Sequence, residues 1–179
     1  ESTITLALAI ELMTSRCRQN FSEAAESAIN AHISKELNAS YAYQSMSVFF
    51  SHDSVALPGL AKHFAKEADE ERKHALKFIE YMNKRGGNVV FKNIEATSMD
   101  WKSAKFAIES AIKMEMDVNS SLLRLHAIAG EVVDPHLADY IESEFLEDQV
   151  ESLKELADML TQLERCGCDG LGLYLFDQK

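Results

Sequence analysis

Asp69-Glu70-Glu71-Arg72-Lys73-His74-Ala75 places charged residues in the middle of a long apolar helical pattern. The pattern begins at Pro58 and ends at Gly86-Gly87. Because proline suits the first position of a helix and glycine suits the closing position, these residues predict one continuous helix. Glu71 and His74 are three positions apart and therefore share one helix face. The apolar stripe on that face consists of Leu60, Phe64, Ala68, Ala75 and Ile79.

Three other segments are also predicted to be helices. The first helix is expected to open at Asn20, with Glu23 three positions later in the spacing of a capping box. The third spans roughly residues 103–129 and ends at Gly130, and the fourth begins at Asp134-Pro135, where an N-cap residue precedes a proline. The predicted core face of the first helix is Ala25, Ile29, Ile33, Glu36, Ser40, Tyr43 and Val48.

Length and composition favour an all-α fold with one compact domain. The chain has 179 residues with only two prolines and seven glycines, and nearly all of these lie at predicted helix ends or in the tail. The connection over residues 87–101 is long for a helix bundle. At about 3.3 Å per residue it reaches along a whole helix, because a helix rises only about 1.5 Å per residue. We therefore expect a four-helix bundle whose long crossover allows helices two and three to run parallel.

The two ends of the chain lie outside this bundle. Residues 1–19 are interpreted as an N-terminal extension to a domain over residues 20–179. The apolar run at residues 4–13 is shorter than the roughly 20 residues of a membrane span, and it is interpreted either as the remainder of a secretory leader or as a surface extension. At the other end, the apolar residues 171–176 predict a short fifth helix, which either packs on its own bundle or forms a subunit contact.

The formal net charge of −11 bears on the class of partner. An acidic chain repels the phosphates of nucleic acid, so nucleic-acid binding is not expected. Cations are the more natural partners. The alternative is that the acidic excess only keeps the protein soluble.

Each predicted helix carries a polar residue near the middle of its core face. A carboxylate or amide buried in this way needs compensation, and Lys and Arg are missing from these inward positions. Carboxylate oxygens together with an imidazole nitrogen suit iron, and a pair of metal ions would supply the missing positive charge. The residues of this predicted polar layer are Glu36 and Tyr43, Glu71 and His74, Glu115 and Asn119, and Gln149.

Taken singly, each of these residues has an ordinary structural explanation. Glu71 alone is typical of a solvated helix position, His74 of a surface or hydrogen-bonded histidine, and Tyr43 of core packing. Their joint placement on four helices favours the metal site. Glu70 is rotated away from Glu71, so it is interpreted as a bridging or inner-surface ligand.

Several separated motifs in the same order resemble eukaryotic ferritin. The resemblance covers about residues 16–177. The motifs are Arg18-Gln-Asn-Phe21, Lys35-Glu-Leu-Asn-Ala-Ser-Tyr41, Asp69-Glu-Glu-Arg-Lys-His-Ala75, Arg85-Gly-Gly87, Asp134-Pro-His-Leu-Ala-Asp139 and Leu173-Tyr-Leu-Phe-Asp177.

The resemblance implies a ferritin-like four-helix bundle that assembles into a hollow shell of 24 subunits and stores ferric mineral. It implies a di-iron ferroxidase centre that uses O2 as oxidant and places this chain with the H-type subunits. The implied ligands are Glu36, Glu71, His74, Glu115 and Gln149, with Tyr43 and Glu70 close by. It also implies that Asp139 and Glu142 line a threefold channel for Fe(II), with His126 near the entrance; without the resemblance, both carboxylates are explained by favourable charge near a helix N-terminus.

The chain departs from the family pattern at several positions. Lys73 and Leu76 stand where many ferritins carry inner-surface carboxylates, so mineral nucleation is left to Glu70, Glu67 or other acids. A cytoplasmic location is the family default, but the N-terminal extension and the terminal cysteines resemble secreted ferritins. An intrasubunit bridge from Cys17 to Cys166 is not expected, because in the family fold the ends that carry these cysteines lie a helix length apart.

Two alternative functions remain at this point. A di-iron oxidase of another kind on the same fold would favour a second Glu-x-x-His motif on helix four, where this chain has Gln149 and no following histidine. A non-catalytic shell subunit or binding module would not depend on Glu36 or His74.

Overall fold

The structure, a computed structural model, describes residues 15–178. Within that range all regular structure is helical. The helices are α1 (Glu23–Ser51), α2 (Pro58–Arg85), α3 (Ala104–Glu131), α4 and α5 (Gly170–Asp177). Helix α4 is made of Pro135–Ile141, a π-helical turn Glu142–Leu146, and Glu147–Cys166. The predicted all-α bundle with a short fifth helix is therefore confirmed, whereas the apolar run at residues 4–13 lies outside the described residues.

The start of α1 differs from the prediction. Ser22, rather than Asn20, is the N-cap: its backbone is extended and its side chain accepts a hydrogen bond from the Ala25 amide. Asn20 has a φ of 49°, a left-handed conformation that does not lead into a helix. Its side-chain amide donates instead to the Val133 carbonyl oxygen at 3.1 Å. The prediction that Val48 faces the core is also wrong, because it lies about 140° around the helix from Tyr43 and is 62 % exposed.

The other predicted helix ends are confirmed except at Gly130, where α3 continues to Glu131 and Val132 is the C-cap. Pro58 is at the start of α2, and Gly86 closes that helix with a φ of 72°. Ser103 caps α3 by accepting from the Phe106 amide, and Asp134 caps α4 by accepting from the Leu137 amide. The starts of α2, α3 and α4 and the end of α2 therefore lie at residues whose stereochemistry or capping side chain is visible in the sequence.

The connection between α2 and α3 follows α1 from one end to the other. The Val90 amide donates to Asn30, the Glu95 amide donates to Asn38, and Ser45 donates to the Ser98 carbonyl oxygen. The contacted residues of α1 thus advance in the same order as the connection. Because α1 and α2 form an antiparallel hairpin, this path returns the chain to the start of α2 and makes α3 parallel to α2.

The core has two apolar clusters with a polar layer between them. One cluster includes Ile33, Ala75, Leu122 and Phe145, and the other includes Tyr43, Ala68, Ala111 and Leu156. On each long helix, the polar residue predicted for the layer lies between members of the two clusters. The bundle therefore isolates this layer from water at both ends.

Helix α5 docks against its own bundle through one face. Leu173 and Phe176 pack on the second cluster, and the Asp177 carboxylate accepts hydrogen bonds from the Gly59 and Leu60 amides at 3.0 and 2.8 Å. The opposite face, which carries Leu171, Tyr174 and Leu175, is exposed. One of the two expected roles of this tail, packing on its own bundle, is thus observed directly.

The three cysteines are free and lie at opposite ends of the bundle. Cys17 is near the end of α2, where its Sγ lies 3.7 Å from the Lys84 carbonyl oxygen. Cys168 packs on the cluster that contains Leu60, at the start of α2. The expectation that Cys17 and Cys166 do not pair within one subunit agrees with this separation. None of the described helices has the length and hydropathy needed to cross a membrane.

Candidate metal centre

Most of the residues predicted to share a polar layer lie together in the middle of the bundle, whereas Asn119, one helical turn after Glu115, is only partly buried. Glu36, Tyr43, Glu71, Glu115 and Gln149 are all at most 4 % exposed. The side chain of His74 is 14 % exposed and lies at the edge of the layer. All four long helices contribute to this layer, because each has a buried polar residue between apolar residues at the same level along the bundle axis.

Glu36, Glu71 and His74 form the most compact group of candidate metal ligands. One atom from each residue can be chosen so that all three lie within 4.8 Å of one another. His74 Nδ1 is 3.6 Å from Glu71 Oε1. Both carboxyl oxygens of Glu36 and one of Glu71 are buried without a hydrogen-bond partner. Unpaired buried oxygens of this kind are costly unless a cation binds them, so their chemistry fits a metal ion.

Glu115 is held on the other side of the layer by two neighbours. Tyr43 donates its hydroxyl hydrogen to Glu115 Oε1 at 2.5 Å, and Gln149 Nε2 donates to Glu115 Oε2 at 2.6 Å. Gln149 also donates to the Glu115 backbone carbonyl oxygen at 3.1 Å. Each carboxyl oxygen of Glu115 thus accepts one side-chain hydrogen bond and keeps a further lone pair, through which it can still bind an ion.

Burial raises the pKa of every carboxyl group in the layer. Burial, and then the charge of neighbouring Glu36, raises the pKa of Glu71 to about 8. Burial and the charge of Glu71 raise the pKa of Glu115 to about 7, and burial also raises the pKa of Glu36. The layer therefore holds protons near neutral pH when no cation is present, and cation binding must displace them.

The histidine and tyrosine of the layer respond to the same surroundings. Burial alone lowers the pKa of His74, but its close contact with Glu71 and the charge of Glu36 raise this pKa on balance. Burial and the charge of Glu115 raise the pKa of Tyr43 well above its usual value. Tyr43 therefore keeps its hydroxyl hydrogen and serves as a donor.

His32 also contacts this site, although the sequence patterns did not single it out. Its side chain is fully buried, one helical turn before Glu36, and its Nε2 atom is 2.7 Å from Glu36 Oε1. Burial lowers the pKa of His32 to about 3. The available signal was the spacing of four residues from Glu36, which places both side chains on one face of α1.

Comparison with known proteins agrees with this architecture. Residues 26–166 match the ferritin-like domain family, described as Ferritin. Soma ferritin from Lymnaea stagnalis is 46 % identical over 169 residues, which cover 94 % of this chain and 97 % of the relative. The ferritin middle subunit from Aquarana catesbeiana is also 46 % identical over 169 residues, with 93 % and 96 % covered. Ferritin-1, a chloroplastic protein from Brassica napus, is 45 % identical over 178 residues, with 97 % and 70 % covered.

The chain belongs to the ferritin family. Family membership extends over the four long helices that carry the polar layer. This chain is therefore an iron-storage ferritin subunit, and the buried carboxylates are to be explained by that function.

The remaining predicted ligands of this ferritin lie outside the layer. Glu70 is half-buried, and its Oε1 accepts from Lys73 Nζ at 2.9 Å, a contact that lowers the pKa of Glu70. Asp139 and Glu142 are exposed near the start of α4, where Glu142 Oε1 lies 2.5 Å from His126 Nε2. The structure thus separates these carboxylates from the buried group, and Lys73 already neutralises Glu70.

The π-helical turn of α4 was also missed by the sequence patterns. It spans Glu142–Leu146 and ends three residues before Gln149. No proline or glycine lies within it, so the sequence offers no local signal for the extra residue. The turn shifts the second half of α4 relative to the first half and thereby contributes to the direction in which Gln149 points.

Proposed function

We propose that this ferritin subunit is a ferroxidase that oxidises Fe(II) in the buried polar layer before the iron is stored. The observation that carries the proposal is the set of unpartnered oxygens on Glu36 and Glu71 beside His74. A buried group of this kind, without Lys or Arg in contact, is stabilised when cations bind. Fe(II) is the cation that the ferritin family handles and that an oxygen-and-imidazole group accepts.

Two iron ions fit the layer in different ways. The first binds Glu36 and His74, with Glu71 shared between the two ions. The second binds Glu115 through the lone pairs that its hydrogen bonds with Tyr43 and Gln149 leave free. Two Fe(II) ions would each give up one electron, and these two electrons with two protons would reduce one O2 molecule to hydrogen peroxide. The carboxyl groups of the layer release their protons as the metal ions enter. Gln149 carries no charge, so it retains the second ion weakly and favours release of the oxidised product.

The layer also suits O2 chemistry because it is closed at both ends by apolar side chains. Exclusion of bulk water strengthens the electrostatic interactions between the metal ions and the carboxylates. Tyr43 donates to Glu115 and fixes the direction in which that carboxylate faces the second ion. The same hydroxyl, buried beside Glu115, would tune or protect the oxidised iron before it leaves the site.

Assembly into a shell is part of the proposal. Exposed apolar side chains, including Phe91, Met99, Leu171, Tyr174 and Leu175, are numerous on the isolated subunit and would be covered by neighbouring copies. A shell of 24 chains of 20.1 kDa each has a mass of about 480 kDa. Size-exclusion chromatography with light scattering measures this mass, and a species near 20 kDa would contradict the shell.

The ferroxidase proposal is tested by adding Fe(II) in air and following the increase in ferric absorbance. Glu36→Ala and His74→Ala should slow the initial rate by more than the roughly 10- to 100-fold typical of outer-shell partners, because both residues contact iron directly. Glu80→Ala, an exposed change on the same helix as His74, is the matched control and should oxidise iron at the wild-type rate. Equal rates for all four proteins would instead support the non-catalytic shell subunit.

A further inference from the structure

The buried imidazole of His32 connects three helices around the proposed iron site. Its Nε2 atom is 2.7 Å from Glu36 Oε1 on α1, and its Nδ1 atom is 2.9 Å from Ser121 Oγ on α3. The ring also packs edge-on against Phe78 of α2, with ring centroids 4.9 Å apart. One ring nitrogen thus faces a polar atom of α1 and the other a polar atom of α3. A histidine that only filled space in the core would not need a polar partner at both nitrogens.

The contact between His32 Nε2 and Glu36 Oε1 is short, but its angle is not that of a hydrogen bond. His32 Nε2 and both carboxyl oxygens of Glu36 lack an aligned hydrogen-bond partner. A small rotation of the Glu36 carboxylate would bring one oxygen into line with Nε2 and turn the other away from the histidine. The second oxygen would then be available to a metal ion beside Glu71 and His74.

The hydroxyl of Ser121 is compatible with the tautomer of His32 that can serve Glu36. An ionised carboxylate only accepts hydrogen bonds, so Nε2 must carry a hydrogen to stabilise it. Nδ1 of a neutral imidazole then has a lone pair, and the Ser121 hydroxyl is free to donate to it. Ser121 therefore holds the orientation of the ring, and its hydroxyl can satisfy Nδ1 in the tautomer that suits an ionised Glu36.

We propose that His32 is a positioning residue of the iron site, which holds Glu36 through Nε2 and is itself held by Ser121. The proposal rests on the ferroxidase function, because Glu36 must be a metal ligand for its orientation to matter. Without His32, the Glu36 side chain would have several rotamers and would lose entropy when the metal ion binds. Residues that orient metal ligands in this way typically contribute about 10- to 100-fold to metal affinity.

The test uses Zn²⁺ as a redox-silent probe of the assembled protein, with binding measured by competition against a chromophoric chelator. His32→Leu should weaken the tighter Zn²⁺ site by about 10- to 100-fold, since leucine cannot donate to Glu36. His32→Gln should restore most of the affinity, because its side-chain amide can donate to the same carboxylate. Ser121→Ala should give an intermediate loss.

Two further variants separate the possible explanations. Phe78→Leu changes the packing around the His32 ring but leaves the partners of both nitrogens in place, so it should retain Zn²⁺ affinity. Glu36→Ala should abolish the tighter site if the proposed function is correct. If Glu36→Ala weakens Zn²⁺ binding but His32→Leu does not, His32 is only a core residue and the present inference is overturned.

Failure of the proposed function gives a different result, in which neither Glu36→Ala nor His32→Leu changes Zn²⁺ binding. Should His32→Leu fail to assemble, Ser121→Ala decides the question because it leaves the imidazole in place. Wild-type Zn²⁺ affinity in an assembled Ser121→Ala shell would then contradict the positioning role, and a several-fold loss would support it.

Discussion

Asp134 and the carboxylates of the polar layer are all buried, but their charges are compensated in different ways. Asp134 is 1 % exposed and accepts hydrogen bonds from both terminal nitrogens of Arg85, at 3.1 and 2.8 Å. It also accepts from the Leu137 amide as the N-cap of α4. Glu36, in contrast, has no aligned hydrogen-bond partner on either oxygen.

We interpret this difference as that between a structural carboxylate, Asp134, and a carboxylate that binds a metal ion, Glu36. The chain supplies its own cation for Asp134, because that ion pair is needed permanently where α2 meets the start of α4. In the polar layer a built-in Lys or Arg would occupy the space that we propose for iron. Compensation there comes from protons in the metal-free protein and, in our proposal, from Fe(II) during turnover.

Loss of the structural carboxylate should have the largest effect on stability. Asp134→Ala leaves the Arg85 side chain, only 12 % exposed, without its charged partner and removes the N-cap of α4. Removing one member of a buried ion pair typically costs about 3–5 kcal/mol. The midpoint of urea unfolding, followed by circular dichroism at fixed protein concentration, should fall accordingly. Asp53→Ala, an exposed change, is the control, and equal midpoints for the two variants would contradict the assigned role of Asp134.

Replacement of a carboxyl group in the polar layer should raise the stability of the metal-free protein, whereas loss of Asp134 lowers it. The pKa of Glu71 is about 8 in the folded protein and 4.5 as its reference value. Between these pH values the unfolded chain binds fewer protons than the folded chain, so the metal-free protein loses stability as pH rises from about 4.5 to about 8. Glu71→Gln removes this loss and should therefore be more stable than wild type at pH 8, by an amount on the order of a few kcal/mol.

The measurement compares unfolding midpoints of wild type and Glu71→Gln in the presence of a chelator at pH 5, 6.5 and 8. The difference between the two proteins should increase with pH. A difference that stays constant over this range would show that Glu71 does not carry a raised pKa. Glu80→Gln, an exposed change on the same helix, controls for the loss of one negative charge.

The charge of the buried Asp177 carboxylate is compensated in a third way, by hydrogen bonds from the amides at the start of α2. A Cβ atom on Gly59 would lie 1.9 Å from the Asp177 carbonyl oxygen, so Gly59→Ala should displace α5. Overpacking of this kind typically costs about 1–3 kcal/mol. Limited proteolysis should then cleave the C-terminal segment faster than in wild type.

Gly130 provides the matched control for that substitution. A Cβ at Gly130 meets no atom within 4 Å, and the residue lies within helix α3. Gly130→Ala should therefore stabilise the protein, by roughly 0.5–1 kcal/mol at most. If both glycine variants leave the C-terminal segment equally resistant to protease, the docking of α5 does not depend on Gly59.

Exposed carboxylates should have the smallest effect on stability. Asp139→Asn and Glu142→Gln should leave the unfolding midpoint nearly unchanged, because solvent screens both groups. If these residues attract Fe(II), the initial oxidation rate at low salt should fall by less than about tenfold, and the difference should shrink as ionic strength increases. An oxidation rate unaffected at low salt would argue against a role in iron entry.

Helix boundaries were predictable where one residue decides the local backbone. Pro58, Gly86 and Asp134-Pro135 each have a stereochemical reason to begin or end a helix, and the structure agrees with all three. Asn20 and Ser22 are both acceptable N-cap residues, so local chemistry alone could not choose between them. The choice depends on the contact of Asn20 with Val133, which is 113 positions away.

The membership of the polar layer was also predictable, because helical periodicity places polar residues on a core face. Glu36, Glu71, Glu115 and Gln149 are buried at that height, as expected. Periodicity does not say which hydrogen bonds these groups make with one another. The pairing of Glu115 with Tyr43 and Gln149 depends on how α3 is placed against α1 and α4.

The amino-acid sequence by itself determined the positions of the helices, the residue types that face inward and the family of the protein, since these follow from local stereochemistry, helical periodicity and separated motifs. Only the tertiary structure decided that His32 contacts Glu36, that Lys73 neutralises Glu70 and that α4 contains a π-helical turn. The contacts of the buried layer join different helices, and their geometry is set by the relative shift and rotation of packed helices. Such a shift leaves no periodic signal in the sequence, because it results from the packing of all four helices at once.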